Sequence, residues 1–406
     1  MKIVRAFKTE LDLNNVQRTA CIRHAGTARY AYNWGLSRKR QAYRAGEKIP
    51  TAIDLHRELN ALKKTELPWM YEVSKCAPQE ALRNLDQAFA HFFRRVKEKR
   101  AGKQVKAGFP CYKSKKNGVG SFRLTGAIHV FEKSIQLPRL GRLRLKERGY
   151  LPMSAVHILS ATVSERAGRW FVSLQVETEI AEPASAGQPT AGVDLGINRM
   201  ATASDGTPFE NPHALRRSLI KIKRLHHKVS RRKIGSANRK KAVHQLAKAY
   251  ARTANIRKDA LHQATTWLVK TKSAVVVEDL NVSGMMQNHH LALAIADVGL
   301  YEFRRQLSYK GQWYGCAVRL ADRFYPSTKR CSHCGHVKTE MSLQERTFAC
   351  EVCGLVLDRD LNAALPVPAQ AQVNLKQLLT ASSAGSYACG EEKFMPAPSG
   401  QAGALR

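Results

Sequence analysis

Acidic residues are scarce in this sequence. The chain of 406 residues contains 32 Asp plus Glu against 67 Lys plus Arg, which gives a formal net charge of +35 at pH 7. A charge this far from neutral exceeds what solubility requires and favours a polyanionic partner, with nucleic acid as the first candidate. Ribosomal proteins and basic membrane-binding proteins share such a composition, so charge alone leaves the function open.

Long apolar runs are also missing. No stretch reaches the roughly 18 consecutive apolar residues of a membrane-spanning helix, and the opening MKIVRAFKTELDL alternates charged and apolar residues instead of forming the apolar core of a signal peptide. We therefore expect a cytoplasmic protein with no membrane partner. Apolar residues still make up 44% of the chain, which is enough for two or three domains with buried cores and argues against disorder throughout.

The cysteines show no disulfide framework. Four of the nine form two C-x-x-C pairs, and the others are scattered: Cys21, Cys76, Cys111, Cys316 and Cys389. In a reducing cytosol this pattern predicts one metal site and buried free thiols.

The paired cysteines follow the spacing C-x₂-C-x₁₅-C-x₂-C and are Cys331, Cys334, Cys350 and Cys353. Four thiolates at this spacing can close a tetrahedral Zn²⁺ site, and full coordination leaves no open position for catalysis. We therefore predict a structural zinc ribbon over residues 326–357. A redox role is disfavoured because no thioredoxin-like βαβ pattern surrounds the pairs. His333 and His336 are then bystanders or surface contacts.

Periodicity divides the N-terminal half of the chain. The first dozen residues are typical of a strand, and helical spacing follows over residues 14–45, 52–64 and 76–100. Short alternating runs between Ser121 and Glu177 indicate a small β-barrel or sandwich. The predicted domains of this half are a β-barrel over residues 1–13 and 118–182 and a helical subdomain over residues 14–117.

The C-terminal half begins after a linker-like segment. Residues 181–188 (AEPASAGQ) are small and include Pro, so we place a domain boundary there. A second domain is expected over residues 190–378, with the zinc ribbon inserted into it. The tail over residues 379–406 is rich in Ala, Ser, Gly and Pro and is predicted to be disordered.

A basic hairpin is predicted from Arg216 to Lys258, where sixteen Lys or Arg occur. Apolar residues at helical intervals on both sides of Gly235-Ser236 indicate two helices joined by a turn. Such a run can be only a solvated face, but its length favours phosphate binding. The residues predicted to bind nucleic acid here are Arg231, Arg232, Lys233, Arg239, Lys240 and Lys241.

Three acidic residues occupy the ends of separate elements. Asp194 lies in the apolar strand of AGVDLGINRMATASDG, Glu278 ends the β-branched run SAVVVEDLNV, and Asp360 lies near a helix start in LDRDLNAAL. Each alone has a structural explanation, as a turn residue, a strand end in solvent or a helix cap. Glu278 is preferred over Asp279 because adjacent strand residues face opposite ways. Asp358 could share the face of Asp360.

The order Asp, Glu, Asp on a strand hairpin, a later strand and a late helix is the one that a ribonuclease H-like nuclease needs. Phosphodiester hydrolysis requires an activated water and neutralised charge, which two Mg²⁺ (or Mn²⁺) ions about 3.5–4 Å apart provide. Such cations prefer oxygen ligands, so converging carboxylates can hold both. We predict that Asp194 is shared by the two ions and that Glu278 and Asp360 each bind one.

The runs AGVDLGINRMATASDG, VVVEDLNVSGM, YPSTKRCSHCG, CEVCG and LDRDLNAAL together resemble the TnpB family of RNA-guided endonucleases encoded by insertion sequences. GTARYAYNWGL, VSKCAPQEALRNL, GFPCYKSKK and IQLPRLGRLRL also resemble family segments in the same order, so the resemblance extends over nearly the whole chain except the tail. It implies a multidomain α+β fold. A wedge-like β-barrel with an inserted helical recognition subdomain would precede a ribonuclease H-like (RuvC) α/β nuclease domain that carries the zinc ribbon.

The family resemblance implies a function as well. TnpB proteins, which are similar to type V CRISPR effectors, bind a guide RNA derived from the transposon end and cut double-stranded target DNA beside a short transposon-adjacent motif. We expect one protein molecule per RNA, in the nucleoid of a bacterium or archaeon. The match places the catalytic acids at Asp194, Glu278 and Asp360, the last because it stands two residues before Asn362, and the zinc ligands at the four paired cysteines.

Nucleic-acid contacts follow less directly from the resemblance. Lys75 and Gln79 match polar positions of the family segment that helps to read the adjacent motif. A guide–target heteroduplex is held through its backbone and shape in a positively charged channel. The basic hairpin and the cluster from Arg94 to Lys106 are expected to contribute to that channel.

Two other functions stay open at this point. The same acidic triad could serve a DNA strand transferase, because ribonuclease H-like folds support both chemistries. Cleavage without joining, and a need for RNA from the end of the element, would favour the endonuclease. A regulator that binds RNA through a decayed site is the third possibility, and the intact triad argues against it.

Overall fold

The computed structural model describes residues 2–153, 156–180, 188–322, 326–342 and 345–365. They form two compact units, which we describe separately. The described residues of 2–180 and 214–256 belong to the first unit, and those of 188–213 and 257–365 to the second. The predicted linker, apart from its last residue, and the predicted disordered tail lie outside the described residues.

The first unit contains the strands β1 Lys2–Asp12, β2 Ser121–Leu124, β3 His129–Phe131, β4 Ser134–Leu137, β5 Gly141–Leu145, β6 His157–Arg166 and β7 Arg169–Glu179. Hydrogen bonds join them into one antiparallel sheet in the order β2-β6-β7-β1-β5-β4-β3. Alternate side chains along the strands, such as Leu124, Leu143 and Val172, are fully buried because successive strand residues point to opposite faces. Closure of this sheet into a barrel stays a prediction.

Three helices follow β1 along the chain: α1 Asn15–Arg44, α2 Ala52–Thr65 and α3 Cys76–Arg100. Capping boxes at Asn14 and Thr51 begin α1 and α2, since the cap side chain and the residue three positions later satisfy each other's backbone N–H groups. Gly35 lets α1 approach α3 closely, because a Cβ there would lie only 2.7 Å from Leu82 Cδ2. The helices predicted from periodicity are confirmed.

The predicted basic hairpin is formed by α4, Ala214–Ser230, and α5, Ala237–Thr271. Arg239 closes the turn between them: its Nη1 donates to the backbone oxygens of Val229 at 2.7 Å and Arg232 at 3.1 Å. The residues of α5 up to Ile256 belong to the first unit and the rest to the second.

The second unit contains a mixed sheet of β8 Thr190–Leu195, β9 Arg199–Ala203, β10 Pro208–Glu210, β11 Ala274–Glu278 and β12 Ala317–Ala321. The strand order is β10-β9-β8-β11-β12, and β11 runs parallel to both β8 and β12. The central strand AVVVE buries Val275, Val276 and Val277, which explains its continuous β-branched composition. Phe303 and Leu307 complete the apolar core of this unit.

Helices and a hairpin complete the second unit. The helices are α6 Val282–Met285, α7 Ala292–Val298, α8 Leu300–Tyr314 and α9 Arg359–Ala364. Shortly before α9, the strands β13 Thr347–Ala349 and β14 Val356–Asp358 pair antiparallel. In the described part of the chain, no helix combines the length and the apolar character needed to cross a membrane.

Candidate metal centres and nucleic-acid contacts

Strand register brings Asp194 and Glu278 together. Val193 of β8 pairs with Val277 of the parallel strand β11. One residue further along both strands are Asp194 and Glu278, at neighbouring positions on strands that lie about 4.8 Å apart. The two carboxyl groups therefore share one end of the sheet, although they are 84 positions apart in the sequence.

Helix α9 brings the third predicted acid to the same place. It packs against β8 and β9, and Asp360 is its second residue. The strand register and the packing of α9 thus bring the three acids to one region of the second unit, where the charges of Glu278 and Asp360 act on Asp194. Burial, and then these two negative charges, raise the pKa of Asp194 to about 8, with Arg359 acting in the opposite direction.

Glu278 has a dedicated partner. The hydroxyl of Ser327 donates to its Oε1 at 2.5 Å, and Ser327 is itself buried. Burial raises the pKa of Glu278 and the Ser327 hydrogen bond counters this effect. Ser327 was not identified from the sequence, although it lies in the quoted run YPSTKRCSHCG, because nothing in that pattern shows which acid it reaches.

The neighbouring acids have other surroundings. Asp279, the residue after Glu278, forms an ion pair with Arg304 at 2.5 Å. Asp358 is the N-cap of α9, and its second oxygen lies 3.6 Å from Nη1 of Arg199. Helix capping, the structural explanation considered for Asp360, therefore belongs to Asp358.

The spacing of the carboxylates differs from that of the cysteines. Within the described residues, the four paired cysteines are the one group of three or more Asp, Glu, His or Cys side chains whose ligand atoms all lie within 4.8 Å of one another. The oxygens of Asp194, Glu278 and Asp360 are more widely spread. A single small cation would need a tighter cluster than this, whereas a pair of cations would not.

The four cysteines have the spacing of a tetrahedral metal site. Cys331 Sγ lies 3.6 Å from Cys353 Sγ, and Cys334 Sγ lies 3.5 Å from Cys350 Sγ. A tetrahedron with Zn–S bonds of about 2.3 Å has S···S edges of about 3.8 Å, so the cluster fits Zn²⁺ with little adjustment. Backbone N–H groups, that of Cys353 first, lower the pKa of Cys350 to about 6, whereas the pKa of Cys334 and that of Cys353 are raised, with burial and hydrogen bonds from the other thiols acting in that direction. The cluster by itself therefore favours ionisation of Cys350 over that of Cys334 and Cys353.

Both cysteine pairs sit in turns that begin with the first cysteine. The N–H of Gly335 donates to Cys331 O at 3.0 Å, and that of Gly354 donates to Cys350 O at 3.1 Å. Both glycines have positive φ, of 78° and 71°, which explains why Gly follows each pair. His333 and His336 are outside the cluster.

The remaining cysteines divide into two kinds. Cys21, Cys76 and Cys316 are buried, as predicted, and burial raises the pKa of Cys21 to about 12 and that of Cys316 to about 11. Cys111 is exposed, so the prediction of a buried thiol is wrong there. It lies between α3 and β2, where residues 103–114 form no helix or strand, and its thiol donates to the backbone oxygen of Phe109 at 3.3 Å. Cys389 lies outside the described residues.

The predicted nucleic-acid contacts lie in the first unit. Lys75 is the exposed N-cap residue of α3, and the half-buried Gln79 follows one helical turn later, so the two side chains are neighbours. In the basic hairpin, exposed side chains line the turn and the start of α5: Arg231, Arg232, Lys233, Lys240 and Lys241. Arg239 is half-buried and bonded to the turn, so its guanidinium is committed to local structure.

Three segments of the chain match known protein families, and the fold matches a solved structure. Residues 171–289 match a family described as "Probable transposase", residues 301–367 match the Cas12f1-like TNB domain, and residues 1–48 match a helix-turn-helix domain of the same transposase group. A solved Cas12f1–sgRNA–target DNA complex shares the fold with a TM-score of 0.53 at 13% identity, over 90% of this chain and 98% of that chain. The mixed α/β fold of this chain is thus similar to that of the solved Cas12f1 chain.

Similar proteins extend over almost the full length. A Streptomyces pristinaespiralis protein named "Putative RNA-guided DNA endonuclease" is 35% identical over 393 residues, which is 96% of this chain and 92% of the relative. The Escherichia coli protein InsQ, with the same description, is 32% identical over 90% of this chain and 91% of its own length. A TnpB-like protein of Acanthamoeba polyphaga mimivirus is 31% identical over 32% of this chain and 26% of its own length. The resemblance drawn from the motifs is therefore confirmed, and the chain belongs to the TnpB family.

Proposed function

We propose that this chain is an RNA-guided DNA endonuclease of an insertion sequence, which cleaves target DNA next to a short transposon-adjacent motif. The observation that carries this proposal is the convergence of Asp194, Glu278 and Asp360 from β8, β11 and α9 at one end of a mixed sheet. Relatives of similar length that are named RNA-guided DNA endonucleases support it.

The three carboxylates suit two divalent cations. Burial and neighbouring negative charge raise the pKa of Asp194 to about 8, and a bound cation would supply the positive charge that favours its ionised form. In this assignment Asp194 would be a ligand shared by both ions, and Glu278 and Asp360 would each hold one. Bound Mg²⁺ or Mn²⁺ supplies water activation and charge neutralisation on the attacking and leaving oxygens of the phosphodiester. The Ser327 hydrogen bond engages only Oε1 of Glu278, so the carboxylate keeps free acceptor positions, including all of those on Oε2, for a cation.

The cysteine cluster is proposed to hold one structural Zn²⁺. Its S···S distances of 3.5 and 3.6 Å suit four thiolate ligands, and a metal with four protein ligands has no open position for substrate. In this assignment residues 326–357 form a zinc ribbon within a RuvC-like nuclease domain. The ribbon would contribute to catalysis only by holding the chain that leads to Asp360.

Nucleic-acid binding is proposed for the first unit. The seven-stranded sheet would be the wedge-like barrel and α1–α3 the recognition subdomain, with Lys75 and Gln79 near the transposon-adjacent motif. The five exposed cations at the turn of the basic hairpin would contact phosphates of the guide RNA or of the guide–target duplex. Guide RNA from the transposon end and double-stranded DNA are thus the proposed partners, with one protein molecule per RNA.

A DNA strand transferase is the second candidate, because residues 171–289 match a family described as "Probable transposase". Transfer would leave the cut end joined to a second DNA, whereas hydrolysis leaves free ends. Analysis of the products on a gel that resolves joined strands separates the two reactions.

The test begins with RNA that co-purifies with the protein. We would sequence this RNA, prepare a plasmid library whose target matches its guide segment beside randomised flanks, and measure cleavage with Mg²⁺. The expected result is RNA-dependent cleavage of plasmids that share one short flanking motif. Asp194→Ala should abolish cleavage and retain RNA binding. Cleavage that persists in this variant, or that needs no RNA, would contradict the proposal.

A further inference from the structure

A short segment connects the acidic site with the cysteine cluster. Residues 326–332, which we call the bridge segment, begin with a turn in which the N–H groups of Lys329 and Arg330 donate to Pro326 O at 3.1 and 3.0 Å. The segment then enters the first cysteine turn, where Cys331 N–H donates to His336 O at 2.7 Å. It therefore has a defined backbone conformation at both ends.

The bridge segment holds Glu278 through Ser327. The Ser327 side chain is 4% exposed, and its hydroxyl donates to Glu278 Oε1 at 2.5 Å. A hydrogen bond to a carboxylate is shorter and stronger than one between neutral groups. Because the bond engages one oxygen only, it restricts rotation of the carboxylate and leaves the other oxygen available.

The same segment holds α9 through Asn362. This side chain is fully buried; its Nδ2 donates to Arg330 O at 2.8 Å, and its Oδ1 accepts from Ser332 N–H at 3.0 Å. Arg330 and Ser332 flank Cys331, so the side-chain amide of Asn362 forms hydrogen bonds to the backbone on both sides of a predicted zinc ligand. Asn362 lies two residues after Asp360 on the same short helix.

We propose that the bridge segment is a positioning device that couples zinc binding to the acidic metal site. Zinc would hold Cys331, and the residues next to Cys331 would hold the helix that carries Asp360 through Asn362, while Ser327 holds Glu278. Ser327 and Asn362 are positioning residues, since they act through the two acids. This role rests on the proposed nuclease function and predicts that zinc occupancy sets the affinity of the acidic site for divalent cations.

The first test measures Mn²⁺ binding to the full-length protein by electron paramagnetic resonance, without DNA. Ser327→Ala should weaken Mn²⁺ binding by about 10-fold, within the range of 10- to 100-fold observed when a group that orients a metal ligand is lost. Ser327→Thr keeps the hydroxyl and should restore affinity to within about 3-fold of the wild type, by the same reasoning. Zinc content should be unchanged in both variants.

Ser160→Ala is the matched control. Like Ser327, Ser160 is buried and donates a hydrogen bond to a side chain, Gln175 Oε1 at 3.0 Å, but it lies in the sheet of the first unit. It should leave Mn²⁺ affinity unchanged. Equal Mn²⁺ affinity in Ser327→Ala and the wild type would overturn the role of Ser327.

The second test concerns the coupling. Asn362→Ala should retain zinc and lose Mn²⁺ affinity, and Cys350→Ser should lose both. Ser327→Ala should reduce Mn²⁺ affinity less in the Cys350→Ser background than in the wild type, because the bridge segment is no longer held by zinc. Zinc-free protein that binds Mn²⁺ as tightly as the wild type would overturn the coupling.

Failure of this positioning role can be told apart from failure of the proposed function. Persistent DNA cleavage by Asp194→Ala would contradict the nuclease assignment whatever the Mn²⁺ data show. Abolished cleavage in that variant, together with normal Mn²⁺ binding by Ser327→Ala and Asn362→Ala, would leave the nuclease assignment in place and overturn the positioning role.

Discussion

The backbone N–H of Asp360 donates a hydrogen bond to Oδ1 of Asp358 at 3.0 Å. Leu361 N–H donates to the same oxygen at 3.2 Å, so Asp358 caps α9 and Asp360 lies inside the first turn. The negative charges of both acids act on Asp194, with that of Asp360 the stronger. Two acids separated by one residue thus have different structural roles.

These roles predict different effects of substitution. Asp360→Asn should reduce Mg²⁺-dependent cleavage by about 10²–10³-fold or more, the loss typical of removing one preorganised group that stabilises charge at the reacting centre. Asp358→Asn keeps an oxygen that can cap the helix and should retain most of the cleavage rate. Asp358→Ala removes the cap and should lower the free energy of unfolding by about 1 kcal/mol.

Single-turnover cleavage and thermal denaturation of the three variants would check these expectations. Comparable losses of cleavage in Asp358→Asn and Asp360→Asn, at similar melting temperatures, would contradict the separation of roles.

The raised pKa of Asp194 predicts a pH dependence of stability in metal-free protein. Its pKa is about 8 in the folded chain against an ordinary value of 3.8. Between these values the folded chain binds a proton that the unfolded chain has released, so this group's contribution to the free energy of unfolding falls as pH rises. The fall should begin above the ordinary pKa and be complete above pH 8.

Chemical denaturation of the wild type and Asp194→Asn from pH 5 to pH 9 would measure this effect. The variant should gain stability relative to the wild type as pH rises, because Asn has no proton to lose. Saturating Mg²⁺ should then raise the wild-type midpoint at pH 8 and leave that of the variant almost unchanged. A pH-independent difference between the two proteins would show that Asp194 titrates normally.

Loss of one thiolate should release zinc. Cys350→Ser is expected to reduce bound zinc from one per chain to near zero, lower the melting temperature, and reduce cleavage although none of the three proposed catalytic acids has changed. Cys111→Ser, which replaces an exposed cysteine outside the cluster, is the control and should keep full zinc and activity. Metal analysis by mass spectrometry would measure the bound zinc, and a cleavage assay would measure the activity. Unchanged folding and cleavage in zinc-free Cys350→Ser would exclude a structural role.

The turn of the basic hairpin should contribute to RNA affinity through charge. Replacing Arg231, Arg232 and Lys233 by Gln should weaken binding of the co-purifying RNA. It should also reduce the slope of log affinity against log salt by up to about 2, since each phosphate contact contributes about 0.7 for single strands. The control exchanges Arg for Lys and Lys for Arg at the same positions, which keeps the charge and should keep the slope. Filter binding at several salt concentrations would measure both, and equal slopes in the two triple variants would contradict phosphate binding.

Arg239 should behave differently from its basic neighbours. Its Nη1 donates to Val229 O and Arg232 O, so Arg239→Gln should destabilise the hairpin turn as well as remove a charge. Lys241→Gln, at an exposed position on the same helix, should affect RNA affinity without lowering the melting temperature. Calorimetry of the two variants distinguishes them, and identical melting temperatures would show that the Arg239 contacts add no stability.

Local patterns in the sequence determined the elements and the residue types of the sites. Helical periodicity identified α1 to α3 to within one residue at each end, because burial of one helix face imposes a repeat that is readable over a few turns. It also identified the two helices of the basic hairpin, but α5 extends to Thr271, 13 residues beyond the predicted end at Lys258. The four cysteines could be identified for a similar reason. Two short turns can supply ligands to one tetrahedral metal ion when two residues separate the cysteines within each pair. The order of the three acids indicated a ribonuclease H-like nuclease, and the family motifs added the choice of Asp360 over Asp358.

Only the tertiary structure decided which groups meet. The register of β8 against β11 sets Asp194 beside Glu278, and packing of α9 leaves Asp358 as the cap. The bonds of Ser327 to Glu278 and of Asn362 to the backbone around Cys331 join residues 30 to 49 positions apart. Such contacts cannot be predicted from sequence spacing. Strand register and helix packing are set by the burial of many side chains at once, and not by the polar residues that this packing brings together.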